Sequence, residues 1–122
     1  MPKLQLLTPS AQIKFDDCPN LTAQQRHVYF SIGTDIASYV ERIREPINKV
    51  GFVLQLGYFR ATGKFFASEL FKKADIKFVS DILNVILPKL SFSNGEYSID
   101  TRYLHKKRIL QLSGWQKFVY FR

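Results

Sequence analysis

The chain has one cysteine, Cys18, and two histidines, His27 and His105, among its 122 residues. A lone thiol cannot close an internal disulfide, and it excludes a cysteine-built zinc cluster. The histidines lie far apart in sequence, with no His/Cys/Asp spacing around either that reads as a metal site. No apolar run approaches the roughly 20 residues of a spanning helix. The opening MPKLQLLTPS lacks the apolar core and small-residue cleavage site of a secretory signal. These absences predict a soluble cytoplasmic domain with no membrane contact, no metal and no cofactor. Phosphate-cradling G-x-x-x-x-G-K-[ST] and G-x-G-x-x-G patterns are missing too. Asp16-Asp17, beside Pro19, reads as a solvated helix boundary rather than a catalytic pair, and acids next to Cys18 disfavour its thiolate. The sequence offers no active site, so the chain is expected not to be an enzyme.

Acid is also scarce, and unevenly so. The formal charge is +8, with 18 Lys/Arg against 10 Asp/Glu. Residues 1–50 hold six cations and five acids, whereas residues 51–122 hold twelve and five. From Thr101 to Arg122 there are six cations and no acid. A field of that shape suits a polyanion such as duplex DNA. Hydrophobic residues make up 46% and aromatics 15%, enough for one domain over 1–122 with a real core and too much for disorder.

Glu45 to Lys64, EPINKVGFVLQLGYFRATGK, organises the rest. Ile47, Val50, Phe52, Val53, Leu54, Leu56, Tyr58 and Phe59 put apolar groups on every side of a helix, so the spacing predicts a buried central helix over about 46–60. Pro46 fits its first turn, and Gly63 its left-handed exit. Around it the pattern predicts Pro9 to Asp16, a helix through Gln24–Phe30 capped by Thr22, and Ile36 to Arg44 capped by Thr34 or Asp35. Asp75 is expected to cap Ile76 to Leu87, and Asp100 or Thr101 to cap a last helix to Leu112. Asn94-Gly95 allows a small β-hairpin near 89–99. The expectation is an all-α domain of five to seven helices.

Two basic clusters carry the functional signal. In Thr101-Arg102-Tyr103-Leu104-His105-Lys106-Lys107-Arg108, Thr101 and the first-turn N–H groups could hold a phosphate. Arg102 and Arg108 could fork onto guanine or phosphate, with Lys106 and Lys107 as point charges. On a helical wheel these cations do not share one face, so a partly buried helix rimmed by solvated lysines explains them equally well. His105 reads as structural. Lys72, Lys73 and Lys77 lead the preceding helix and would suit a helix-turn-helix reader. Arg60 and Lys64 could meet phosphate or satisfy helix-end carbonyls; Arg42, Arg44 and Lys49 are of the same kind. Gln55, deep in the apolar stretch, is expected to bond to backbone inside the fold.

Asn48, Gly51, Phe52, Gln55, Leu56, Tyr58, Arg60 and Gly63 form N-x-x-G-F-x-x-Q-L-x-Y-x-R-x-x-G. With Leu7-Thr8-Pro9 before it, and Thr101-Arg102, His105, Ile109 and Gly114 after it, this arrangement resembles the N-terminal domain of Tn3-family transposases. The stretch from Phe65 to Tyr97 departs from the pattern, and Gly57 stands where that family often has Cys or a bulkier residue. The resemblance implies recognition of transposon terminal inverted repeats, with the catalytic carboxylates and their magnesium far downstream. It makes double-stranded DNA the expected partner, with the remainder of a transposase or a second copy as others. The alternative is a protein-docking module without DNA specificity, using Trp115, Phe118, Tyr120 and Phe121 together with Phe65, Phe66 and Phe71.

Overall fold

The computed structural model describes residues 17–87, 92 and 97–112. Within them the chain is all-α: five helices, with no strand among the described residues. The first, α1, is Ala23–Tyr29. Thr22 and Gln25 form a reciprocal capping box there: Thr22 Oγ1 accepts the Gln25 N–H at 3.1 Å, and Gln25 Oε1 accepts the Thr22 N–H at 2.9 Å. The second, α2, is Thr34–Arg42, with Gly33 rather than Thr34 or Asp35 at the cap. It stops two residues short of the expected Arg44, because the chain is already extended at Ile43 on its way to Pro46.

Pro46–Thr62 is the central helix, α3, with proline in the first turn and Gly63 at φ 77° closing it. Every residue from Val50 to Phe59 is buried. All four other helices pack on it, and each makes its main helix contact there rather than with a neighbour. Gly57 lets one of them close in: a Cβ there would sit 2.0 Å from a ring carbon of Phe30, the residue that ends α1. The space that a bulkier residue would take at 57 is thus filled by the Phe30 ring.

A 3₁₀ turn, Ser68–Leu70, leads to α4, Lys73–Leu83. Two expectations change here. Asp75 is not the cap; Lys72 holds that position without a side-chain bond, and Asp75 is the buried third residue of the helix. The helix also ends before Leu87, because Asn84 turns left-handed at φ 60°, which asparagine tolerates. The last helix, α5, is Ile99–Leu112. Ser98 Oγ, rather than Asp100 or Thr101, accepts the first-turn N–H of Thr101 at 3.1 Å. The expected helix Pro9 to Asp16, the Leu7-Thr8-Pro9 opening, the Asn94-Gly95 turn, Gly114 and the aromatic tail lie outside the described residues. Of the expected hairpin arms, Phe92, Tyr97 and Ser98 are described and carry no strand, while Ile99 begins α5. No helix among the described residues is long and apolar enough to cross a membrane.

Candidate nucleic-acid interface

The cations of α5 point three ways, as about 100° of rotation per residue requires. His105 and Ile109 face inward and are buried. Burial pushes the His105 imidazole down to about 4, and it sits edge-on to Phe52 with its Nδ1 in a 2.6 Å hydrogen bond to the hydroxyl of Tyr97. A neutral, enclosed ring of that kind is structural. Burial also raises the Tyr97 hydroxyl well above the usual tyrosine range. Lys106 leaves one flank of the buried stripe, its Nζ 5.7 Å from the centroid of Phe65. Arg108 leaves the other, its Cζ 5.0 Å over Tyr39 of α2. Lys107 faces outward, 5.9 Å over Tyr103 one turn back. Arg102 is half-buried, and its Nε is enclosed without a hydrogen-bond partner. Thr101 uses both N–H and Oγ1 on Ser98, so it closes the helix start rather than presenting donors there.

Lys64 and Lys72 meet elsewhere. Together with Asp17, Cys18, Asn20 and Phe66 they line a recess of about 500 Å³. Their backbone N–H groups are already taken: Thr62 Oγ1 accepts that of Lys64 at 3.1 Å, and the Tyr58 hydroxyl accepts that of Lys72 at 3.3 Å. What they turn to the recess is side chain. Lys64 Nζ lies 6.0 Å from the ring centroid of Phe66. The next ring, Phe65, stacks on Phe59 at 4.8 Å and receives Lys106 from α5. Two lysines of the 63–72 connection and one of α5 therefore gather beside Phe65-Phe66. Cys18, on the floor, is a neutral thiol, pushed up to about 12 chiefly by burial.

The other candidates are placed differently. Lys73 is exposed at the start of α4. Lys77 is exposed and paired with Asp81 one turn on, at 3.2 Å. Residues 63–72 separate α3 from α4, more chain than the tight turn of a helix-turn-helix. Arg60 closes off the end of α1, its Nη1 donating to the carbonyls of Tyr29 at 2.9 Å and Ser31 at 2.7 Å. Burial lowers its pKa. Lys49 does the same for α2, with Nζ on the Val40 carbonyl at 2.8 Å. Both cations of the central helix thus hold the negative ends of its neighbours. Arg42 and Arg44 are exposed.

Gln55 is fully buried, as expected, but it reaches no backbone group: its amide lies beside the Tyr97 hydroxyl without forming a hydrogen bond. Phe66 and Phe71 belong to the core, and Phe65 is half-buried, so these rings do not form a free docking face. Sequence reasoning missed Asn20 and the place of Asp17 in the recess. Both sit in a segment whose only local signal is a helix break. Among the described residues no group of three or more His, Cys, Asp and Glu is placed to hold a metal.

Fold and site together define an all-α domain with a basic, aromatic-lined rim. A family model described as a domain of unknown function (DUF4158) matches residues 6–120, and the chain belongs to that family. The domain is found in transposase-like proteins. No curated protein and no solved structure matches the chain.

Proposed function

We propose that this chain is a DNA-binding module that recognises the terminal inverted repeats of a transposon, in the manner of the N-terminal region of a Tn3-family transposase. One observation carries the reading: Lys64 and Lys72 of the 63–72 connection and Lys106 of α5 gather beside the Phe65-Phe66 pair. Ammonium groups spaced around aromatic rings suit a phosphate backbone, with the lysines supplying affinity and neighbouring side chains the register. Arg108 and Lys107, each over a tyrosine, extend the positive field along α5. The reading gives this chain no catalytic step; cleavage and strand transfer fall to other parts of a transposase.

The test is a titration into two labelled duplexes at several salt concentrations, one carrying the host element's terminal inverted repeat and one a scrambled repeat of equal composition. Tighter binding to the repeat, with a steep salt slope for both, is the expected result. A second reading, a docking module for the rest of a transposase or a second copy, draws on Ile99, Tyr103 and Leu104, which stand exposed on α5. Apolar docking tolerates salt, so binding to neither duplex, with a salt-insensitive protein partner, would replace the first reading by the second.

A further inference from the structure

We propose that the recess between Lys64 and Lys72 seats one unpaired nucleotide of the bound DNA. In this arrangement its phosphate lies on the two ammonium groups and its base edge on Asp17 and Asn20. The inference rests on the DNA-binding reading and goes beyond it, because binding along a duplex backbone needs no recess.

Volume is the first argument. About 500 Å³ lies within the range of roughly 300–1,000 Å³ typical of small-ligand sites. A duplex cannot enter a space of that size, whereas a single extruded nucleotide can. The second argument is the mixture of chemistries. Two lysines alone would suit any anion, but an Asp17 carboxylate lining the same recess repels a bare phosphate. An ionised carboxylate only accepts hydrogen bonds, and the exocyclic amines of adenine, cytosine and guanine are donors. Asn20 both donates and accepts, so it can pair with the remaining edge of the same base. Cations for a phosphate and a carboxylate–amide pair for a base are what one nucleotide asks for together.

The third argument is the lining between these poles. Phe66 offers a ring beneath Lys64, and Cys18 a neutral, apolar thiol, so neither competes with the charged groups for the ligand. Thymine has no exocyclic amine, but once unpaired it presents N3–H between two carbonyls, which also gives Asp17 a donor and Asn20 an acceptor. The carboxylate–amide pair therefore serves a purine or a pyrimidine alike.

The experiment uses the whole chain and fluorescence anisotropy. Three duplexes of one sequence are compared: fully paired, with one unpaired adenine, and with one unpaired thymine. A base already out of the stack avoids the unstacking cost, so binding to the unpaired adenine and to the unpaired thymine should each exceed that to paired DNA by about tenfold. In the double variant Asp17→Ala/Asn20→Ala, with its helical circular dichroism retained, the adenine-to-paired ratio should fall to about one. Equal affinity of the wild-type chain for all three duplexes would overturn this inference and leave the DNA-binding reading standing. A ratio unchanged in the double variant would also overturn it, by placing the unpaired base elsewhere. Failure to bind any of the three would overturn both readings.

Discussion

The hydroxyl of Tyr58 on α3 donates to the carboxylate of Asp75 on α4 at 2.5 Å, and Arg26 of α1 holds the other carboxylate oxygen through Nε at 2.7 Å. Asp75 is 1% exposed, so three helices are tied at one enclosed charge. Burial, and then the bond to Asp75, lift the Tyr58 hydroxyl far above the usual tyrosine range, which keeps it a donor.

Replacing Asp75 by alanine should therefore be severe. It leaves the Tyr58 hydroxyl and the Arg26 guanidinium without their shared acceptor, and breaking a buried pair of this kind costs about 3–5 kcal/mol. Tyr58→Phe keeps the ion pair and loses one bond, for about 1–3 kcal/mol. Urea denaturation of both variants checks the order. A loss under about 1 kcal/mol for Asp75→Ala would show that the triad does not hold the helices together.

His105 sets a dependence on pH. Its folded value, about 4, lies below the 6.5 of a free imidazole, so between these values the unfolded chain binds the extra proton. Its contribution is fully present above about pH 6.5 and is lost as pH falls towards 4, by roughly 3 kcal/mol in all. In His105→Gln the slope of stability against pH over that window should flatten. Denaturation curves at pH 7, 5.5 and 4.5 measure it.

Gly57→Ala should destabilise by overpacking. The new methyl would meet the Phe30 ring, which is fully buried and has no free side to move towards. Strain of this kind typically costs about 1–3 kcal/mol. A thermal midpoint equal to that of the parent would show that α1 can shift outward at no cost.

The basic residues should separate by role. Lys64→Ala, Lys72→Ala and Lys106→Ala together should weaken duplex binding and reduce the salt slope by about 0.9 for each phosphate no longer neutralised. Lys77→Ala should change little, because that ammonium is paired with Asp81 at the surface. Arg60→Ala should lower stability rather than affinity, since it releases the two carbonyls at the end of α1. An Arg60→Ala variant of full stability and weakened DNA binding would reverse that assignment.

The scaffold was legible from residues because its signals are local. Apolar groups all round 46–60, proline at its start and glycine at its end define α3 without reference to anything else, and Thr22 with Gln25 marks the start of α1 in the same way. Asp75 misled for a physical reason. As an exposed residue it would cap a helix, but two partners distant in sequence, Tyr58 and Arg26, hold it one turn inside. The recess was invisible for the same cause: Asp17, Asn20, Lys64 and Lys72 share no periodicity, and only the folded chain brings them together. On α5 the wheel correctly scattered the cations. What it could not supply were the rings from other segments, Phe65 beneath Lys106 and Tyr39 beneath Arg108.

The enclosure of α3 by all four neighbours has a consequence for how the shape arises. A helix that is apolar on every side gains little in water by forming alone, and short satellite helices such as the seven residues of α1 are marginal without a seat. Neither the hub nor its satellites can lead by more than a step. Assembly is a mutual event, in which the axle and the parts that ride on it arrive together.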